Sequence, residues 1–137
     1  MGLGRLPLPP RHIFPNIVEL SVFDFTGHFL ASDIPSSPLR LSKLGISLVT
    51  VEPGPGHIAV PLSSVVNPQT LRLLKVFNIR LDNIALLSDY LGSFFNLQSL
   101  ELEGYGDDSV ALPADALFSL IHLCELALCE IDWNSVL

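Results

Sequence analysis

Apolar residues recur with one particular spacing along this chain, most clearly in its second half. The stretches "NLQSLELEGY" (96–105) and "HLCELALCEI" (122–131) share the pattern Leu-x-x-Leu-x-Leu-x-x-apolar. Going back along the chain by the same offset reaches a third copy, which starts at Leu71, and weaker copies start at Ile17 and Leu41. Alternating apolar positions indicate a strand with one buried face, and the apolar residue three positions earlier indicates a bend before it. The pattern therefore predicts five short strands.

Between these strands the apolar spacing changes to three or four residues. The stretch "LDNIALLSDYLGSFF" (81–95) predicts an amphipathic helix. The stretch "LPADALFSLIHL" (112–123) predicts a shorter helix, with Pro113 in its first turn and Ile121 among its apolar residues. Alternating strands and helices predict an α/β fold in which helices cover one side of a parallel sheet. Since one strand cannot bury its apolar residues alone, the stacked copies must share a continuous core.

The repeated pattern resembles the leucine-rich repeat, whose strand consensus is Leu-x-x-Leu-x-Leu-x-x-Asn/Cys-x-Leu. The resemblance covers residues 14–131 and implies a solenoid of about five repeats, with the parallel sheet on the concave side and helices on the convex side. A repeat domain over residues 14–137 would follow a proline-rich lead-in at residues 1–13. The family often has Asn or Cys at the ninth position, where this chain has Phe25, Val49, Ile79, Tyr105 and Ile131. The turns must therefore satisfy their backbone groups by another route.

A narrower resemblance comes from the repeat length and from two stretches of sequence. The length is typical of the leucine-rich regions of F-box proteins, and the stretches "FPNIVELSVFDF" and "VVNPQTLRLL" resemble the fungal members of that group. The F-box itself is not recognisable in this sequence. The resemblance implies a non-enzymatic interaction scaffold, the target-recognition region of an F-box-type ubiquitin ligase subunit, which binds a protein on the concave face of its sheet.

The composition is typical of one folded domain without a membrane-spanning helix. The 137 residues are 49% hydrophobic and 15% charged, which provides enough apolar surface for a core. The longest stretch without Asp, Glu, Lys or Arg, residues 53–71, contains four prolines and cannot form a spanning helix. No secretory signal is recognised at the N-terminus, so we expect a cytoplasmic or nuclear protein whose two cysteines are reduced.

Charge is sorted along the chain. Through Arg80 there are seven basic and four acidic residues, whereas residues 81–137 contain ten acidic residues and no Lys or Arg. In each strand, the residues between the core positions point to the concave face, because successive side chains alternate. On that face the middle strands carry basic and aromatic residues, and the C-terminal strands carry acidic ones. We predict a partner-binding face made of Phe23, Lys43, Lys75, Phe77, Glu101, Glu103 and Glu125. The net charge of −7 and the lack of a basic stripe favour a protein partner over nucleic acid.

Candidate chemistry is sparse. His122, Cys124, Glu125 and Cys129 cluster in the sequence but lack the paired Cys-x-x-Cys spacing of a zinc site. No catalytic residue, metal or cofactor is predicted. The alternative function that stays open is a small hydrolase or metal-dependent enzyme on a modified solenoid.

Two further segments carry structural expectations. The Pro-Gly-Pro-Gly segment at residues 53–56 predicts a projecting turn, which lengthens the second repeat. Only six residues follow the last predicted strand, which is too few for a full capping helix. We therefore expect the chain to self-associate through an uncapped C-terminal edge.

Overall fold

The computed structural model describes residues 17–50, 52, 54–106, 110–111 and 114–132. The proline-rich lead-in predicted at residues 1–13 lies outside these ranges. The described part contains the following strands and helices: β1 (Glu19–Phe25), β2 (His28–Leu30), β3 (Lys43–Leu48), β4 (His57–Ala59), β5 (Leu73–Ile79), α1 (Ile84–Ser93), β6 (Ser99–Gly104), β7 (Val110–Ala111), α2 (Ala114–Phe118), β8 (Glu125–Cys129) and β9 (Ile131–Asp132).

The five strands that carry the repeated pattern form one parallel sheet. Their order in the sheet is β1-β3-β5-β6-β8, so successive copies of the pattern lie side by side. The register aligns the fourth position of every copy into one row: Leu20, Leu44, Leu74, Leu100 and Leu126. The predicted α/β class and the five-stranded parallel sheet are therefore confirmed.

The core lies against one face of this sheet and is most complete beneath its central strands. Leu44, Leu74 and Leu100 are 2%, 0% and 1% exposed, whereas Leu20 and Leu126 in the outer strands are only partly buried. The apolar side of α1 covers the same core with residues that are almost fully buried: Leu87, Tyr90 and Leu91. α1 also packs against α2 and against a short 3₁₀ helix at Leu62–Ser64.

Backbone hydrogen bonds link neighbouring copies at the amino ends of the strands. The carbonyl of Ser42 accepts hydrogen bonds from the N–H groups of Arg72 and Leu73, at 2.9 and 3.0 Å. The equivalent carbonyls make the same pair of bonds at the other three junctions: Val18, Arg72 and Gln98. One carbonyl per copy thus serves two donors of the next copy, which fixes the register before each strand begins.

At the carboxyl ends of the strands, backbone hydrogen bonds occur where the leucine-rich-repeat consensus has Asn or Cys at its ninth position. The N–H of Val49 donates to the carbonyl of Phe25 at 3.0 Å, and the N–H of Tyr105 donates to the carbonyl of Ile79 at 2.9 Å. The residues immediately before Phe25, Ile79 and Ile131 have positive φ angles. They are Asp24 (54°), Asn78 (61°) and Glu130 (56°). A residue with positive φ bends the end of the strand. The backbone N–H and C=O groups of neighbouring copies then hydrogen-bond to each other, without an Asn or Cys side chain.

One turn also uses a side chain. Asn83 is 5% exposed, and its Oδ1 accepts a hydrogen bond from the N–H of Arg80 at 2.7 Å. Its Nδ2 donates to the carbonyl of Asn78 at 3.4 Å. Asn83 therefore holds the turn between β5 and α1, although it does not occupy the ninth position of the repeated pattern.

The connections differ from the expected strand-helix alternation in the first half of the chain. There the described residues form only 3₁₀ helices, at Ala31–Asp33 and Leu62–Ser64, and β2 pairs antiparallel with β4. Prolines explain the difference, because each one removes a backbone donor and clashes with a preceding helical turn. They occur repeatedly in these two connections: Pro35, Pro38, Pro53, Pro55, Pro61 and Pro68.

The predicted projecting turn is confirmed over the residues described there. The N–H of His57 donates to the carbonyl of Gly54 at 3.2 Å, and Gly56 has a φ of 79°. Pro55 followed by a residue with positive φ is the sequence preference of a type II turn. The turn leads directly into β4, so the segment contributes to a small sheet as well as projecting from the surface.

The predicted helix boundaries were too wide. α1 begins at Ile84, so Leu81 lies in the preceding turn and is 67% exposed. α2 ends at Phe118, and Ile121, which was expected among the apolar residues of that helix, is 81% exposed in the following turn. The spacing of apolar residues alone does not separate the helix from the turns that flank it.

Candidate interaction surface

The face of the five-stranded sheet opposite the core carries all seven residues predicted to bind a partner. We call it the open face: it consists of the side chains that alternate with the buried ones in β1, β3, β5, β6 and β8. Its predicted binding residues are Phe23, Lys43, Lys75, Phe77, Glu101, Glu103 and Glu125. The sequence therefore placed these side chains on one surface, as the strand period requires.

The centre of the open face is a contact between opposite charges. Lys75 lies directly beside Glu101 in the register, and its Nζ is 3.5 Å from a carboxylate oxygen of Glu101. Both side chains are nearly half exposed, at 46% and 43%. An ion pair at this exposure contributes at most about 1 kcal/mol to stability, so it mainly orients the two side chains.

The two aromatic side chains of the open face differ in exposure. Phe23 in β1 is 59% exposed, whereas Phe77 in β5 is only partly exposed and lies beside Ser47 of β3. The hydroxyl of Ser47 in turn accepts a hydrogen bond from Nδ2 of Asn78 at 2.8 Å. Phe23 is thus the larger apolar surface available for burial against another molecule.

The C-terminal side of the open face is acidic. Glu101 and Glu103 lie two residues apart in β6 and point to the same face. Glu125 of β8 lies beside Ser99 of β6. Glu103 lies directly beside Cys129, whose thiol is free and exposed. With Lys43 in β3 and Lys75 in β5, the charge changes sign across the sheet from the middle strands to β8.

A shallow groove of about 270 Å³ runs across the amino ends of the strands. It contains two of the predicted residues, Lys43 and Glu125, at opposite ends of the charge change. Its other lining residues were not among the predicted binding residues: Ser42, Arg72, Leu73, Gln98, Ser99 and Cys124. Ser42, Arg72, Gln98 and Cys124 occupy the second position of successive copies, so the repeat register itself would have indicated that they line up.

A second cluster that the sequence reasoning missed lies at the carboxyl ends of the strands. The guanidinium of Arg80 lies 4.8 Å from the centre of the Tyr105 ring, and its Nε is 3.9 Å from Asp82. The Asp82 carboxylate also accepts a hydrogen bond from the hydroxyl of Thr50 at 3.2 Å. A cation over an aromatic face is favourable by about 0.5–1 kcal/mol at an exposed site, so the cluster stabilises the ends of β5 and β6.

The described residues do not gather metal ligands. Over the ranges that the structure describes, no group of three or more His, Cys, Asp or Glu side chains could hold a metal ion. Cys124 and Cys129 are both exposed, and the Cys124 thiol lies 3.5 Å from the carbonyl of His122. What the open face and the groove present is a broad polar surface with one exposed aromatic ring, which suits contact with another macromolecule.

Comparison of this chain with protein-family models, curated proteins and solved structures finds no match. Among the helices in the described parts of the chain, none is long and apolar enough to cross a membrane.

Proposed function

We propose that this chain is a non-enzymatic interaction scaffold, built as a leucine-rich-repeat solenoid, whose open face binds a protein partner. The observation that carries the proposal is a parallel sheet with its core on one face and exposed side chains on the other. Parallel sheets usually have both faces covered. In the described residues the open face instead carries an aromatic ring that is 59% exposed and a run of charged side chains. A partner that covers this face would bury both.

The two kinds of side chain have different expected roles in binding. Phe23 can enter a pocket of the partner and so supply affinity, since hot spots are enriched in buried, well-packed anchors. The change of charge across the sheet would orient the partner during encounter, because complementary potentials act mainly on the association rate. Phe77 lies two strands away in β5, is less exposed than Phe23, and would add a second, smaller apolar contact.

The resemblance to F-box proteins makes the proposal more specific. On that resemblance, the partner is a substrate recruited to a ubiquitin ligase. The first experiment is affinity purification of the tagged chain, with mass spectrometry of what is retained. Retention of a ligase adaptor together with a substrate would support the ligase role. Capture of a partner without any ligase component would support the scaffold role and contradict the ligase role.

Binding kinetics with the captured partner then test the face. We expect Phe23→Ala and Phe77→Ala to speed dissociation, by about 2 kcal/mol for a residue that is a hot spot. The matched control is Phe118→Ala, because Phe118 is 67% exposed on α2, away from the sheet. Loss of affinity in the control, with both sheet variants silent, would place the binding surface on the helical side.

Charge is tested separately. Glu101→Lys combined with Glu103→Lys should slow association and reduce its dependence on salt, as expected when steering is lost. The control reverses the same number of charges on the helices, Asp89→Lys with Asp115→Lys, where both residues are exposed. Equal effects of the two double variants would mean that net charge matters and the open face does not.

A further inference from the structure

Among the strands that the structure describes, β8 is the last of the five-stranded sheet and has a neighbouring strand on one side. It pairs with β6, and no other described strand pairs with it. Its inward residues Leu126 and Leu128 are only partly buried, although the same positions of β6, Leu100 and Leu102, are 1% and 0% exposed. The difference is the missing neighbour: β6 has a strand on each side, and β8 has one. A further strand would complete the burial of both leucines.

The backbone of β8 offers hydrogen-bonding groups on that side. The N–H of Glu125 donates to the carbonyl of Gln98 at 3.0 Å, so this residue turns its backbone toward β6. In a parallel ladder the alternate residues face the other way, which directs the N–H and C=O groups of Leu126 and Leu128 to the uncovered edge. Such an edge is a template for an added strand.

The acidic side chains near this edge favour an added strand that carries basic side chains. Glu125 lies in β8 itself, and Glu103 lies one strand behind it, beside the small side chain of Cys129. Two strand spacings, roughly 10 Å, separate an added strand from β6, so a long side chain passing over Cys129 could approach Glu103. Residues 81–137 contain no Lys or Arg that could neutralise these carboxylates from within this part of the chain.

We propose that the uncovered edge of β8 binds an extended basic segment of a partner protein as a sixth strand. The segment would alternate apolar residues, which lie beside Leu126 and Leu128 over the core, with Lys or Arg residues, which lie beside Glu125 and Cys129 on the open face. Main-chain hydrogen bonds would supply affinity, and the alternating side chains would supply specificity. The site adjoins the open face and shares Glu103 and Glu125 with it, but the main-chain pairing at the edge does not require a partner docked on that face.

A second copy of the chain is the competing occupant. Joining β8 of two copies would bring two acidic strands together, and like charges on adjacent strands are destabilising. Head-to-tail joining in the register of the sheet would place Glu125 beside Glu19 of β1, another pair of like charges. Salt therefore separates the two occupants: it weakens binding of a basic segment and relieves the repulsion between copies.

The test uses the full chain and a fluorescent peptide in which lysine and valine alternate. The control peptide has the same composition, with the lysines and valines in two blocks. We expect the alternating peptide to bind more tightly, and binding to weaken as sodium chloride is raised. Glu103→Gln with Glu125→Gln should lower its affinity by about threefold to tenfold, whereas Asp89→Asn with Asp115→Asn should leave it unchanged. Circular dichroism checks that each variant is folded.

Strand addition is distinguished from simple charge attraction by N-methylation of the peptide. Alternate backbone N–H groups of the bound peptide would point toward β8, and the others would point away from it. Methylating the nitrogens that point toward β8 should abolish binding, and methylating the others should not. Equal binding of the block peptide, or indifference to both methylation patterns, would overturn the proposal. Dimerisation of the chain alone that strengthens with salt, and that the peptide cannot reverse, would assign the edge to a second copy.

Discussion

Replacing Leu100 with alanine tests the sheet register at a fully buried position of the central row. Leu100 is 1% exposed and lies in β6 between Leu74 of β5 and Leu126 of β8, in the row formed by the fourth position of every copy. The Leu100→Ala variant therefore opens a cavity between two fixed neighbours, in a strand that is paired on both sides. The surroundings have little freedom to collapse into that space.

The expected cost follows from this enclosure. Burial of a leucine side chain stabilises a fold by about 1.5–3 kcal/mol, and the cavity left behind raises the cost of Leu→Ala to about 2–5 kcal/mol. For Leu100 we expect about 3 kcal/mol, a large part of a typical domain's total of about 5–15 kcal/mol. The same change at the partly buried Leu126 should cost about half as much, because part of its surface already contacts solvent.

Urea denaturation followed by circular dichroism provides the measurement. With a slope of about 2 kcal/mol/M, a loss of about 3 kcal/mol lowers the midpoint by roughly 1.5 M. The control is Leu81→Ala, since Leu81 is 67% exposed and should change stability by no more than about 0.5 kcal/mol. If Leu100→Ala and Leu81→Ala shift the midpoint equally, the assigned register is wrong.

Three further predictions concern stability. Gly104→Ala should destabilise the protein by about 1–3 kcal/mol, because the added Cβ would collide with the backbone carbonyl of Glu130; Gly92→Ala, in an exposed helical position with open space around it, should stabilise by about 0.5–1 kcal/mol in the same urea titration. Burial, and secondarily the nearby Asp89 carboxylate, raises the pKa of the Tyr90 hydroxyl above its ordinary value of about 10. The fold thus favours neutral Tyr90, so stability should be full below pH 10 and fall as pH rises above it; Tyr90→Phe should remove this alkaline loss, and an unchanged pH profile in the variant would contradict the assignment.

The sheet was predictable because its signal is local and repeated. Each strand copy carries the same apolar alternation, and the constant offset between the last three copies places Leu74 beside Leu100 and Leu100 beside Leu126. The same offset placed Lys75 and Glu101 on neighbouring strands, and the structure joins them as an ion pair. The surface residues of the open face therefore follow from the same register as the core.

The features that were missed depend on contacts or conformations that the apolar pattern does not encode. Pairing of β2 with β4 joins segments that are distant in sequence, and prolines replace the expected helices there with shorter turns. Asn adopts positive φ more often than most residues do, so this conformation at Asn78 could be expected from the sequence. The same conformation at Glu130 could not be expected from its residue type. The turn held by Asn83 is likewise set by the geometry of the strand end.

Hydroxyl-radical footprinting of the chain with and without its captured partner shows directly whether the partner covers the open face. Oxidation is read by mass spectrometry at Phe23 on the open face and at Phe118 on the helical side, which are 59% and 67% exposed and so react comparably in the free chain. If the partner binds the open face, it should protect Phe23 and leave Phe118 unchanged. Protection of Phe118 with Phe23 still fully reactive would contradict binding at that face.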